Sequence, residues 1–412
     1  MSPYSVRPIR ILSAIVFAAT ISGCVVSETR PLPKFEAVQA KQQIVEAELL
    51  DIAIHHFDPG IPASIAEDEE ALDKRRLYPD VRRAEARLLP ARLRATLEGS
   101  GQWGAVRVVP DSVRFVDVTV EGKILDSTGG TLALEIRAFD IAGRVWIDRK
   151  RYEGPADLGS YKTDAALRNR DPFQNVYVSI ANDLLAARER LSAAQRRELR
   201  ELARLRFAQD LDPRAFDGYV QRGSDGILRL VRLPAAEDPA LDRIDRIRER
   251  DATVIDTLDG FTGEFSEQLF DSYGAYRRTS QEAIEREDRA RSQAIARTAL
   301  GAAAVLASIF VDSSCAPGDY NCERVDSALR TAGAVGGVTA VVSGIKKFSD
   351  AKVAAQEVKE LARSFESEAA GQSIEVEGRS LKLVGTAEEQ YREWRRLLAD
   401  FYKEEQGSVP VP

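Results

Sequence analysis

The chain has 412 residues, is 44% hydrophobic and 30% charged, and carries a formal net charge of −7. That length sets an expectation of two or three domains, and the composition supports real cores beneath a soluble surface. The acidic balance excludes nucleic acid as a main partner, because phosphate binding needs a basic face.

The first residues have the three parts of a secretory signal. Arg7 and Arg10 form a positive start without acidic residues, and Ile11 to Ile21 is an apolar stretch. It is about 11 residues long, short of the roughly 20 that a membrane-spanning helix needs. Ser22, Gly23 and Cys24 follow. Ile21-Ser22-Gly23-Cys24 resembles the lipobox of bacterial lipoproteins: an aliphatic residue, two small ones and a cysteine. The resemblance implies a signal peptide over 1–23, diacylglycerol on the Cys24 thiol, and acylation of the new amino group. Several acyl chains make such an anchor stable, whereas one binds marginally. In that family an aspartate after the cysteine retains the protein in the inner membrane. Val25 stands there instead, which implies the outer membrane, on its periplasmic side. Residues 24–34, with Pro31 and Pro33, read as a polar tether.

The fold class expected for the rest is α+β. Phe35 to Leu50 reads as a helix with Ala37, Ile44, Ala47 and Leu50 on one face. An irregular acidic stretch runs from His55-His56 to Pro79. Asp80 to Glu98 is a second helix, with Val81, Ala84, Leu88, Leu89, Leu93 and Leu97 as its buried stripe. Pro90 should kink it, and Gly99 should end it. Ala105 to Val109, Val116 to Ile124, Leu132 to Ile136 and Val145 to Ile147 follow as strands of an antiparallel meander with one buried face. Asp171-Pro172-Phe173 starts a helix with Asp171 as cap. Ser192-Ala193-Ala194-Gln195 is a capping box that opens another helix, ending near Leu211. Residues 35–211 thus form an α+β domain with helices on a small antiparallel sheet. The segment Val81 to Trp146 resembles periplasmic domains of auxiliary lipoproteins of envelope transport systems. The shared features are a helix ending in Gly99-Ser100-Gly101, the strand Val106-Arg107-Val108-Val109, and the hairpin ending Asp140-Ile141-Ala142-Gly143-Arg144. The resemblance bears on fold and setting and brings no functional residue.

Residues 212–240 read as a linker with a short strand, and 241–412 as a mainly helical domain. Leu241 to Arg297 is highly charged, with Leu241, Ile244, Ile247, Val254, Leu258, Phe261, Phe265, Leu269 and Tyr276 at helical spacing: one long amphipathic helix or two consecutive ones. Such a stripe is also what a coiled-coil or oligomer contact would bury. Two Gly/Ala-rich runs, Thr298 to Val311 and Thr331 to Ile345, flank Cys315 and Cys322 and read as a helical hairpin over 298–345. Gly333 and Gly337, four apart, would let two helices pack closely. Each run is about 14 or 15 residues, too short to span a bilayer alone. Burial inside a soluble domain and insertion into a membrane both fit it. Cys315 and Cys322 enclose a turn of Pro, Gly, Asp and Asn, which in an oxidising periplasm reads as a disulfide. A metal pair is the rival, but zinc would want further ligands and the only histidines are His55 and His56. A helix over Val353 to Glu368, a short hairpin (Ile374 to Val376 with Leu381 to Leu383) and a capping box at Thr386 to Glu389 follow. The box opens a last helix with Tyr391, Trp394, Leu398 and Phe401 on one face.

No catalytic constellation emerges. His55 and His56 lack a flanking nucleophile motif and the i, i+4 spacing of a zinc pair, so a surface or capping role is expected, with no metal. Paired acids among the 65 carboxylates could serve a hydrolase, which would need a cleft lined by two acids with little basic compensation. No cofactor is indicated. The sequence is therefore expected to encode a non-enzymatic lipoprotein, an accessory or scaffold component of an envelope complex. Its partners would be the membrane, through lipid, and either another envelope protein or itself. A pore-forming oligomer built on residues 298–345 and an envelope hydrolase are the alternatives.

Overall fold

The computed structural model describes residues 35–161, 171–235, 237–271 and 387–407, and between 273 and 295 all but 275, 279, 283, 287, 291 and 294. The signal, the tether, the Cys315 and Cys322 turn, the run with Gly333 and Gly337, and the elements expected at 353–383 lie outside these residues.

The fold is α+β, and its centre is a five-stranded mixed sheet in the order β2-β1-β3-β4-β5. The strands are β1 (Ile52–His55), β2 (Val106–Val109), β3 (Val118–Ser127), β4 (Thr131–Asp140) and β5 (Val145–Pro155). β3, β4 and β5 form the antiparallel meander, and Gly143 turns the second hairpin at φ +95°. The other half of the sheet differs from expectation. β1, to which the sequence reading assigned no element, pairs parallel with both β2 and β3. Its burial explains why no alternation announced it: Ile52, Ala53 and Ile54 are all at most 1% exposed. A strand covered on both faces reads as a continuous apolar run.

One face of the sheet is covered by three helices: α2 (Pro79–Gly99), α3 (Gln174–Glu189) and α4 (Ala193–Leu211). Leu89, Leu93 and Leu97 of α2, Tyr177, Ile180 and Leu184 of α3, and Leu199 and Leu202 of α4 share a core with Ile52, Val118, Leu134 and Ile136. The six expected stripe positions of α2 are all buried. The helix runs on through Pro90 and has Gly99 as its last residue, and the left-handed φ of +65° falls at Gly101. At the start of α3 the Asp171 carboxylate accepts from the Phe173 N–H at 2.8 Å. It shapes the preceding turn; the cap position is Phe173.

The capping box of α4 is complete. Ser192 Oγ accepts from the Gln195 N–H at 3.3 Å, and Gln195 Oε1 accepts from the Ser192 N–H at 2.9 Å. Ser192→Ala is expected to cost about 1 kcal/mol, read as a lower urea midpoint at unchanged slope.

The expected helix over Phe35 to Leu50 does not form. That stretch is irregular apart from a 3-10 turn at Glu46–Glu48. Its amides are taken by the body: Phe35 and Val38 N–H donate to the side chains of Asn175 and Asn182, and Ala40 N–H to the Ser100 carbonyl. A short helix, α1 (Glu69–Lys74), stands where loop was expected. In the linker, β6 (Val220–Arg222) and β7 (Leu228–Leu230) form a hairpin.

The long amphipathic helix is α5 (Pro239–Gln268), opened by Asp238, whose carboxylate accepts from the Ala240 N–H. The described residues from 270 to 295 are also helical. α5 changes partner along its length. Leu241, Ile244 and Ile247 meet Leu205 and Phe207 of α4 and Leu398 of α6 (Ala387–Gly407). Val254, Ile255 and Leu258 meet Ala53, Val109 and Tyr391 on the second face of the sheet. Phe265 near its end, and Leu269, Tyr273 and Tyr276 beyond it, meet Val81, Ala84 and Leu88 of α2. The parallel half of the sheet therefore has helices on both faces, beyond the one-sided packing expected. α5 also closes the free edge of β2, a place otherwise open to strand addition. The Val108 N–H donates to Asp259 Oδ1 at 2.7 Å, and Asp259 pairs with Arg94 at 2.6 Å.

Candidate functional site: an acid and arginine cleft behind the sheet

Between α4, α5, α6 and the second face of β1 and β2 lies a cavity of about 590 Å³. This volume lies in the range of ligand pockets. Its polar residues come from elements far apart in the chain: Asp51 before β1, Asp117 before β3, Arg200 on α4, and Arg248 and Asp251 on α5. Apolar walls come from Ala53, Val109, Phe115, Phe207 and Ile255.

Asp51 and Asp117 are the paired acids of this cleft. The Asp51 N–H donates to Asp117 Oδ2 at 2.8 Å, and the Ala105 N–H donates to Asp51 Oδ1 at 2.8 Å. The Arg200 guanidinium lies 3.8 Å from Asp51 Oδ1 and 3.9 Å from Asp117 Oδ2, and it donates to the Leu49 carbonyl. Asp117 is 2% exposed. Burial, then the neighbouring Asp51 carboxylate, push its carboxyl up to about 6. Across the cleft, Asp251 accepts from Tyr391 Oη and Trp394 Nε1, each at 3.1 Å, with Arg395 at 3.8 Å. Burial raises its carboxyl too, against the pull of Arg395. Each of these acids ties two or more elements together.

A second polar network lies beyond the C-terminal end of α5, on the helical residues after 269. Arg277 is 1% exposed and Glu85 also 1%. Arg277 Nη2 donates to Glu85 Oε1 at 3.1 Å and to Ser127 Oγ at 2.8 Å, and Nη1 donates to the Thr128 carbonyl. Tyr273 Oη and Ser127 Oγ each donate to Glu85 Oε1 at 2.8 Å. The guanidinium stacks 4.6 Å from the Phe173 ring. The β3–β4 turn fits against this helix closely: a Cβ at Gly129 would sit 2.4 Å from the Arg277 carbonyl oxygen.

The histidines are not the surface or capping pair expected. His55 is the last residue of β1, with Nε2 3.3 Å from the Val113 carbonyl and Nδ1 3.9 Å from Asp111. Burial, then Arg87, pushes the His56 ring down to about 4. Cys24, Cys315, Cys322, Gly333 and Gly337 fall outside the described residues. Among the described residues no group of three or more His, Cys, Asp or Glu could hold a metal ion, and no helix is long and apolar enough to cross a membrane.

None of the residues of either network stood out in the sequence as a site. Two signals were present. Asp51 abuts the apolar run Ile52-Ala53-Ile54, and Arg277 stands four residues after Tyr273, on the apolar side of its helix. Comparison with protein-family models, curated proteins and solved structures returned no match.

Proposed function

We propose that the protein is a lipoprotein held by Cys24 at the periplasmic side of the outer membrane, where it acts as a non-catalytic accessory or scaffold component of an envelope complex. The observation that carries the non-catalytic part is the engagement of the cleft carboxylates. Asp51 and Asp117 hold backbone amides and face Arg200. Asp251 holds Tyr391 and Trp394. A carboxylate-pair hydrolase needs acids with little basic compensation, whereas Arg107, Arg200 and Arg248 line this cleft. The anchor rests on the Ile21 to Cys24 lipobox. The partner surface is assigned to the small-residue runs over 298–345, because the apolar stripe of α5 is already covered by α4, α6, the sheet and α2.

The test compares the full chain, Cys24→Ser, and a chain lacking 298–345, each isolated from cells fed labelled palmitate. The wild type is expected to carry label, fractionate with outer membrane and retain a defined envelope partner. Cys24→Ser is expected to lose label and membrane association, and the deletion to lose the partner. An unlabelled wild type sinks the anchor. Loss of a homo-oligomer on deletion, with no partner in any sample, replaces the scaffold by self-assembly.

A further inference from the structure

The first described residues, 35–49, run as an irregular arm beside the C-terminal end of α2 and the outer side of α3. The body fixes the backbone of this arm. Asn175 Oδ1 and Asn182 Oδ1 accept from the Phe35 and Val38 N–H at 3.4 and 3.0 Å. Gln102 Nε2 donates to the Val38 carbonyl at 3.3 Å, and the Ala40 N–H donates to the Ser100 carbonyl at 2.9 Å. Large apolar side chains stay outside: Phe35 is 57% exposed, Val38 49% and Val45 64%. Single exposed apolar residues are ordinary on a protein surface. Three of them between 35 and 45, on a backbone held in place, form an adhesive edge. Charge adds little to it, since Lys34 and Lys41 balance Glu36 and Glu46.

What covers this edge follows from where the arm begins. On the lipoprotein reading, on which this inference rests, Cys24 sits in the bilayer surface and only residues 24–34 separate it from Phe35. Fully extended, that tether spans at most roughly 40 Å. A short tether holds its end near the anchor at an effective concentration of about millimolar. Adhesion too weak to recruit a free protein is then enough to hold a tethered one, and apolar side chains at a lipid surface gain with the area they bury. The fold also gives the contact a direction. The arm lies at the C-terminal end of α2, whereas Arg76, just before the other end, pairs with Asp288 at 2.9 Å. The length of α2, from Pro79 to Gly99, separates the two ends by about 30 Å.

We propose that the arm carrying Phe35, Val38 and Val45 rests on the lipid surface that holds the anchor, and that α2 then keeps the helical residues around Asp288 on the far side of the body, away from that surface.

The protein is isolated from membranes, its acyl content is read by mass, and it is reconstituted in vesicles of phosphatidylethanolamine and phosphatidylglycerol. A fraction of the phosphatidylethanolamine carries a diazirine on its acyl chain, and adducts formed on illumination are mapped by peptide mass. Residues 35–48 are expected to carry roughly tenfold more adduct than 67–76 or 282–295. Phe35→Asp with Val38→Asp leaves the backbone bonds of the arm in place, and is expected to lower its adducts by about the same factor while acylation and vesicle association persist. The wild-type map decides the matter by itself if that variant does not fold. Acylated protein with equal labelling of the three segments, with most adduct on 282–295, or with unchanged labelling in the folded variant overturns the docking and leaves the anchor standing. Protein without acyl chains overturns both, because the arm then has no tether to the lipid.

Discussion

Arg277→Met is expected to destabilise the protein by about 3–5 kcal/mol, the cost of removing one partner from a buried ion pair. The reason is what remains. Glu85, 1% exposed, would keep Tyr273 and Ser127 as hydrogen-bond donors and lose the guanidinium that now meets it at 3.1 Å. The Thr128 carbonyl and the Phe173 ring face would lose a cation as well. Arg82 cannot substitute fully, since its Nε stands 3.8 Å from Glu85 Oε2. Replacing both partners with apolar residues (Arg277→Met with Glu85→Met) is expected to recover much of the loss, because no charge is then stranded. Urea denaturation of the two single variants and the double variant completes the cycle. A loss below about 1 kcal/mol for Arg277→Met, the scale of an exposed pair, would show that the network does not hold the helix to α2 and the β3–β4 turn.

The second large effect concerns Asp117, and its sign is opposite to that of a salt-bridged acid. Its folded-state carboxyl lies at about 6, above the ordinary 3.8. The folded protein therefore binds this proton more tightly than the unfolded chain does. The contribution to stability is fully present below the unfolded value and is lost as pH rises through about 6. At pH above 7 the ionised group costs roughly 3 kcal/mol, taking about 1.36 kcal/mol per unit. Asp117→Asn cannot ionise, and its side-chain carbonyl can still accept from the Asp51 N–H. The variant is expected to exceed the wild type in stability by up to roughly 3 kcal/mol above pH 7 and to show no advantage near pH 4. Urea midpoints at the two pH values decide it. If the variant is the less stable at high pH, the carboxylate's attraction to Arg200 outweighs its burial, and the direction assigned here is wrong.

The sequence by itself determined the elements whose signal is local. The stripe from Val81 to Leu97, the Ser192 and Gln195 box, the alternation through β3 and β4, and the apolar series from Leu241 to Tyr276 each lie within one element. Each announces its partner only as a buried face. The structure returns the helices, the box and the β3–β4 hairpin, but Asp117 and Thr119, on the polar phase of the alternation, are buried as well. Tertiary structure alone decided the rest. β1 is a strand because β2 and β3, each more than about 50 residues away, supply its hydrogen bonds, and parallel pairing of this kind leaves no turn signature. Phe35 to Leu50 stays irregular because Asn175, Asn182 and Ser100 take the amides of Phe35, Val38 and Ala40, which outweighs a weak helical preference. The polar sites were hidden for the same reason. Which few of 65 carboxylates are buried depends on where α5 and α6 cross the sheet. A carboxylate's neighbours in space, Arg200 for Asp117 or Arg277 for Glu85, are set by that crossing and not by spacing along the chain.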